Sequence, residues 1–566
     1  MSNKEIKSKI EEIKKSFNDK KYDEVIKKIE DLSTIENRYA ELSSLCGVCK
    51  IVKPNPNKNE ILSALLDFED AYKKAKKNSI GLDSVCNYIS TCILYSDDYP
   101  ELLKFLSLAS IMYSDVEKFF GFNEKLSLIG IKLYKMLLDY DKMRSITHDL
   151  IKNNTKHLTT LCRWAYINNY SYKWKQENYL NYLKSISKIF PTYNTKSINN
   201  INFKSNKKVK IGFVGCNYNS DHSITYFMQD LVENLNKEKF ETYAFDLGRY
   251  SKNNLPHLEL KKKFDHYLEY KSISNQEVIE LIQGNQIEIL IDIMSITHPE
   301  RIGIFNNRVS PIQISWLAYC NTSGFDKIDF LIADRNVIKD EEEKYYSEKI
   351  IKLPNIWSSH SGFKLRRKFN DLPLLKNNFV TFGSFNNFLK ISDDVVDTWS
   401  KILRKIIGSK LILKSSDSYD YEIIKKKFAK YGVDNAIEIL EKRNYHKIED
   451  HLNVYNKIDI ALDTFPYTGV TTTFEALWMN VPVIAMNGHN FKSRCGASIL
   501  KNANVDQLIC LNKSDYIEKV IGLTKDIKIL QKIRKELFEN VLNTPLFDTK
   551  KYAIEFNKVL LEIYKK

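Results

Sequence analysis

The chain has 566 residues, of which 43% are hydrophobic and 12% aromatic; this is the composition of about two to four packed domains, and it excludes a disordered chain. Lys and Arg number 86 against 71 Asp and Glu, a net charge of +15. That excess is scattered along helical stretches and matches no nucleic-acid-binding module, so it reads as a solvated Lys-rich surface.

The chain opens on MSNKEIKSKIEEIKKSF, which is charged throughout and has no apolar core of a signal peptide. No run approaches the ~18 apolar residues of a membrane span. The nine cysteines are irregularly spaced, which argues against a disulfide framework and for a reducing, cytoplasmic location. Cys46 and Cys49 make a lone CxxC with no second pair nearby, expected to be two buried core thiols rather than half a zinc site.

Residues 1–200 read as helix after helix. Apolar residues recur at three- and four-residue spacing, as in Tyr22, Val25, Ile26 and Ile29, and again in ILSALLDFEDAYKKA and KLSLIGIKLYKMLLDY. The pattern predicts an all-helical, tetratricopeptide-like domain, serving as a protein-binding surface or as a cap over a catalytic domain. A polar stretch without period, FPTYNTKSINNINFKSNKK, closes it.

Strand–helix alternation then begins. KVKIGFVG, KFETYAFDL and IEILIDI read as strands, with a helix at NQEVIELIQ. After a polar connector at 362–377 it restarts: strand NFVTFGSF, helix ISDDVVDTWSKILRKI, strands KLILKSS and AIEIL, a helix around His451, strand KIDIALD, a helix from Thr471, and strand VPVIAM. The pattern predicts two parallel Rossmann-like lobes, 207–365 and 366–566, that meet at a cleft. Ligands then belong in the loops after the strands.

The densest signal is DIALDTFPYTGVTTTFEALWMNVPVIAMNG, residues 459–488. A strand ends at Asp463, a turn holds Pro466 and Gly469, and Thr471-Thr472-Thr473 opens a helix carrying Glu475. A helix N-terminus offers free N–H groups and a positive dipole to phosphate. The plainer reading is a Thr-capped helix with an acid in its first turn.

This segment resembles the protein O-GlcNAc transferases and the SPINDLY-like transferases with their bacterial relatives. DHSITYFMQ, PIQISWLAYCNTSGFDKIDFLIAD, YSEKIIKLPN, FGSFNNFLKISDDVVDTWSKIL and SRCGAS agree in family order, over roughly 208–511. The resemblance implies a metal-independent GT-B pair of lobes with no cofactor beyond the donor, a nucleotide sugar such as UDP-GlcNAc or UDP-glucose. It implies that Lys390 stabilises the leaving diphosphate with Asn387 beside it, where animal enzymes have Gln. His451 would stack on the base, Thr471 and Thr472 hold phosphate, and Glu475 bind the ribose. His222 would line the active site on the acceptor side, His266 the cleft, and the Leu317–Gly324 loop the sugar pocket. Val470, Cys320-Asn321 and Ser295-Ile296 depart from the animal sequences, which leaves the base and the sugar open.

The resulting expectation is an inverting transferase that moves GlcNAc to Ser or Thr of protein acceptors, flagellins and adhesins being those that analogy offers. Asn-directed glucosylation from UDP-glucose, O-fucosylation from GDP-fucose, transfer to a glycan or lipid, and a non-catalytic helical scaffold are the alternatives.

Overall fold

The computed structural model describes residues 3–32, 39–96, 98–153, 155–172, 174–198, 208–218, 223–248, 258–270, 272–363, 367–415, 420–441 and 448–565. They form two units, one built on residues 1–155 and the other on 156–417 and 424–566.

The first unit is helical, running from Asn3–Asn18 through Ala40–Val52 and Lys58–Ala75 to Tyr140–Lys152. Each helix packs on its sequence neighbour, as tetratricopeptide-like arrays do. The predicted stripe turns inward: Val25 and Ile29 are fully buried with Ile13, Cys46 and Cys49. Cys46 and Cys49 are therefore core thiols, and burial pushes Cys49 up to about 12. Helix Lys58–Ala75 starts at a capping box, in which Asn57 accepts from Glu60 N–H and Glu60 accepts from Asn57 N–H.

The second unit holds two parallel sheets. The first contains β1 (Val209–Gly215), β2 (Phe240–Asp246), β3 (His266–Glu269), β4 (Ile289–Asp292), β5 (Ile312–Ser315), β6 (Phe330–Asp334) and β7 (Lys349–Leu353), in the order β3-β2-β1-β4-β5-β6-β7. The second contains β8 (Thr381–Ser384), β9 (Lys410–Ser415), β10 (Ile437–Glu441), β11 (Ile460–Leu462), β12 (Val483–Met486) and β13 (Ile509–Cys510), in the order β10-β9-β8-β11-β12-β13. β4 and β12 are buried along their whole length. Both faces of a parallel sheet are covered by helices, which is why these strands read as unbroken apolar runs. Strand order reverses between β1 and β4 and again between β8 and β11, the two points where such sheets open a crevice.

Two boundaries differ from the sequence expectation. The helical pattern to residue 200 is split: helices Leu158–Asn168 and Gln176–Ser187 belong to the second unit. The final helix, Thr549–Tyr564, does not complete the second lobe. Its Tyr552, Phe556, Leu560 and Ile563 enter the core of the first, with Ile211, Phe213 and Trp316.

The segment SRCGAS lies on helix Phe491–Asn502, which is buried almost throughout and braces the lobes together. Arg494 makes two bonds to Glu342 of the first lobe, at 2.5 and 2.6 Å, and Ser498 donates to Asp334 at the end of β6 at 2.9 Å. Among the described residues no helix is long and apolar enough to cross a membrane.

Candidate active site

β8 and β11 lie side by side in the second sheet, so the segments after them must share the crevice. After β8 the chain runs through Asn386 and Asn387 into the turn Phe388–Lys390; Ser392 then caps helix Asp393–Lys405. After β11, Asp463 begins the loop that leads to helix Thr471–Trp478.

Asp463 and Asn386 tie the two segments together. Asp463 Oδ1 accepts from the N–H groups of Thr464 (2.8 Å) and Gly469 (2.7 Å) and from Asn386 Nδ2 (3.2 Å). Asn386 Oδ1 accepts from Lys390 Nζ (3.4 Å) and Thr472 Oγ1 (3.2 Å). Lys390 Nζ also donates to the Thr468 carbonyl at 2.8 Å and sits 4.5 Å from the centre of the Tyr467 ring. One carboxamide thus links the lysine, the helix mouth and the buried acid.

Burial lowers the Lys390 ammonium below its ordinary range, against the opposing charge of Asp463. Burial likewise pushes Asp463 up to about 6, with the bonds to Gly469 and Thr464 and the charge of Lys390 pulling the other way. Burial disfavours both charges, and each group's opposite charge offsets part of that effect on the other.

The helix mouth is open. Its N-cap is Val470, which supplies no side-chain cap, so the plainer reading of a Thr-capped helix does not hold. Gly469 is required for close approach: a Cβ there would lie 2.6 Å from Thr472 Oγ1 and 2.8 Å from Thr473 Oγ1.

These groups face a cleft of about 230 Å³ between the lobes. From the second lobe Asn387, Lys390, Tyr467, Thr471 and Thr472 line it; from the first come Ile224, Phe227, Leu317 and Cys320. Five of the predicted residues are therefore together: Lys390, Asn387, Thr471, Thr472 and Leu317. Leu317 holds φ +81°, a conformation costing an L-residue of this kind about 1–3 kcal/mol and met mostly where a site demands it. Ser295, after β4, is held at φ +51°, where glycine costs nothing, and it does not line the cleft.

Glu475 and His451 form a polar chain connected to the cleft wall. Lys414 Nζ donates to His451 Nδ1 at 2.5 Å, and His451 Nε2 lies 3.0 Å from Glu475 Oε2. An ammonium only donates, so Nδ1 accepts and the imidazole proton sits on Nε2, directed at Glu475. Tyr455 Oη donates to the same oxygen at 2.8 Å and to the carbonyl of Thr472 at 3.2 Å. Burial pulls the Glu475 carboxyl up, but His451, Tyr455 and Lys414 together hold it below the usual range.

His266 is elsewhere. It lies on edge strand β3, half exposed, stacked 4.2 Å from the Tyr243 ring and bonded to Glu241 at 2.7 Å, and is not among the residues lining the cleft. His222 lies outside the described residues; helix Ser223–Asn234 begins one position later and gives Ser223, Ile224 and Phe227 to the cleft. Sequence reasoning missed Asn386, Asp463 as an acid coupled to Lys390, Tyr467 and Trp357. The one available signal was the end of a strand at Asp463 beside a Pro and Gly turn.

Two doubly wound lobes joined by a cleft, with a cation and a helix mouth at the carboxyl ends of the strands, define a GT-B glycosyltransferase fold. Comparison with known proteins gives the family. The chain belongs to glycosyl transferase family 41, whose profile matches residues 183–362 and 364–556. It is 27% identical over 386 residues to a tomato (Solanum lycopersicum) protein named "Probable UDP-N-acetylglucosamine–peptide N-acetylglucosaminyltransferase SPINDLY", covering 67% of this chain and 41% of that one. It is 30% identical over 339 residues to the SPINDLY protein of Eustoma exaltatum subsp. russellianum, covering 59% and 37%. The chain thus spans about two fifths of the length of these plant relatives. A solved Thermobaculum terrenum O-GlcNAc transferase mutant superposes with TM-score 0.72 at 21% identity, covering 89% of this chain and 94% of that one, and shares the fold.

Proposed function

We propose that the protein is an inverting glycosyltransferase that moves N-acetylglucosamine from UDP-N-acetylglucosamine to Ser or Thr hydroxyls of polypeptides, with no metal or other cofactor. The observation that carries this reading is that Lys390 and the uncapped mouth of helix Thr471–Trp478 line one cleft and are bridged by Asn386. A departing diphosphate gains negative charge as its bond to the sugar breaks, and a fixed ammonium with free N–H groups and Thr hydroxyls stabilises it best at that moment.

In this reading the second lobe holds the nucleotide, with Asn387, Thr471 and Thr472 on the phosphates and Glu475 and His451 on the nucleoside. The strained Leu317 loop borders the sugar. The acceptor oxygen attacks the anomeric carbon opposite the diphosphate, the carbon–oxygen bond to phosphate breaks, and the acceptor proton passes to a diphosphate oxygen or to His222. Alignment of the reactants and stabilisation of the leaving group supply most of the rate.

The names of the plant relatives speak of a peptide acceptor, which favours polypeptide over glycan or lipid; none speaks of flagellin or adhesin. A thermal-shift panel of UDP-GlcNAc, UDP-glucose and GDP-fucose, followed by mass spectrometry of modified proteins, tests the assignment. Stabilisation by UDP-GlcNAc with a gain of one N-acetylhexosamine on Ser or Thr is the expected result. A response to GDP-fucose alone would replace the donor, and a hexose on Asn would replace both donor and acceptor. No response to any sugar nucleotide would rule out a glycosyltransferase.

A further inference from the structure

Asp463 is a buried acid that uses only half of its carboxylate. Its Oδ1 accepts from the N–H groups of Thr464 and Gly469 and from Asn386. Its Oδ2 is buried and meets no protein donor. Gly496 packs there instead, so closely that a Cβ would lie 2.5 Å away. An Asn could accept the same three bonds through its one carbonyl oxygen. What the carboxylate adds is a negative charge, held against burial, and that charge stands one carboxamide away from Lys390.

We propose that Asp463 and Asn386 are positioning residues for the transfer: Asp463 supplies the charge that keeps Lys390 an ammonium before the donor arrives, and Asn386 relays that charge and aims the ammonium at the diphosphate. The role in transfer rests on the function proposed above for Lys390; the coupling of the three side chains does not.

The orientation of Asn386 is dictated by its neighbours. A carboxylate only accepts and an ammonium only donates, so Nδ2 faces Asp463 at 3.2 Å and Oδ1 faces Lys390 at 3.4 Å. Lys390 has three N–H donors. One goes to the Thr468 carbonyl at 2.8 Å and one to Asn386, which leaves the third for a phosphate oxygen in the cleft that Lys390 lines. Thr468 is itself pinned: its Oγ1 donates to the Lys492 carbonyl at 2.9 Å and accepts from Gly496 N–H at 3.0 Å. The ammonium therefore has two fixed acceptors behind it.

Charge follows the same line. Burial lowers the Lys390 pKa, and the charge of Asp463 is the largest effect opposing it. Tyr467 and Cys495 are held neutral, because burial pushes both well up, and Cys320 is a thiol in the loop after β5. Tyr516 Oη bonds the Asp463 backbone carbonyl, at 3.0 Å, and not its carboxylate. Among the described residues Asp463 is therefore the one carboxyl acting on the amine. A bound diphosphate would bring its own negative charge, so Asp463 matters most in the free enzyme.

Full-length wild type, Asp463→Asn and Asn386→Asp are each exposed to trace acetic anhydride at a series of pH values, and acetylation of Lys390 is read by mass spectrometry. Only the free amine reacts, so the curve is the titration of Lys390, which is partly exposed to the reagent at the cleft. The pH dependence of kcat/KM for UDP-GlcNAc, which reports groups of the free enzyme, is measured beside it. Asp463→Asn removes the counter-charge, and Asn386→Asp adds one next to the amine. The Lys390 titration and the alkaline limb of kcat/KM are expected to move down by about one pH unit in Asp463→Asn and to move up in Asn386→Asp. Loosened packing alone would expose the amine and move both variants upward. Lys390 unmoved in both variants, or moved the same way by both, overturns the proposal. Asp463→Ser, which also removes the charge and keeps an acceptor, replaces Asp463→Asn if that variant does not fold. A shifted Lys390 titration with a kcat/KM limb still at its wild-type position overturns the role in transfer. Absence of turnover by the wild type is a failure of the transferase assignment and leaves the labelling curves to decide the coupling.

Discussion

At the scale of single residues the proposed transfer rests on Lys390. Its Nζ is fixed by the Thr468 carbonyl, Asn386 and the Tyr467 ring, so its charge is already in position when the leaving group develops. Removing one such preorganised donor costs about 10²–10³ in kcat. Lys390→Ala is expected to lose that much with circular dichroism unchanged, and near-normal turnover would end its role. The pH dependence has a definite sign. Burial lowers the Lys390 pKa below the ordinary 10.5, and the ammonium is the working form, so kcat falls as pH rises through a value beneath the usual lysine range. Lys390→Arg keeps its charge to far higher pH. Its kcat at neutral pH falls because the guanidinium geometry differs, but its alkaline limb moves upward; a limb that stays put would assign the titration to another group.

At the scale of elements the site is the mouth of helix Thr471–Trp478 and the loop that feeds it. Gly469→Ala drives a Cβ to 2.6 Å from Thr472 Oγ1 and 3.0 Å from Asp463 Oδ1. The start of the helix then has to shift, and UDP affinity by calorimetry is expected to fall at least tenfold. Glu475→Ala removes the acceptor shared by His451 and Tyr455, and a drop in UDP affinity larger than the drop in kcat is expected; unaltered affinity would exclude Glu475 from the nucleoside site. Much of this element was legible in the sequence, because a strand, a Pro and Gly turn and a Thr run announce a helix mouth by local chemistry alone. Short strands such as β3 and β13 were not, since four or two residues carry no usable period. Asn386 was equally silent: a lone Asn after a strand says nothing until three partners converge on its carboxamide. His266 shows the opposite case, in which the family resemblance suggested a cleft residue and the register of β3 on β2 put it against Tyr243.

At the scale of the whole molecule, the division into units decides what a truncation tests. Helical periodicity runs without a break past residue 155, so the sequence suggests one domain to about 200; periodicity reports that a face is buried, not which partner buries it. Helices Leu158–Asn168 and Gln176–Ser187 are tied to both lobes. Asn169 donates to Tyr319 Oη at 2.9 Å, Gln176 donates to Asn321 at 2.5 Å, and Asn490 donates to Gln176 at 3.2 Å. Lys492 is 3% exposed, and its Nζ donates to Asn169 Oδ1 at 2.5 Å. Burial drives its pKa well down. Deleting residues 156–195 as well removes Asn169, Tyr170 and Tyr179 together, and so strips the cover from Lys492 and from Tyr467, whose ring packs 5.3 Å from that of Tyr170. Deletion of residues 1–155 is therefore expected to leave a folded second unit that binds UDP with near-normal affinity and hydrolyses donor while modifying protein acceptors poorly. Deletion of residues 1–195 is expected to lower Tm by several degrees further and to weaken UDP binding. Equal melting temperatures and equal UDP affinities for the two truncations would show that these two helices are dispensable to the cleft. Full acceptor modification by the shorter deletion would instead remove the first unit from acceptor capture.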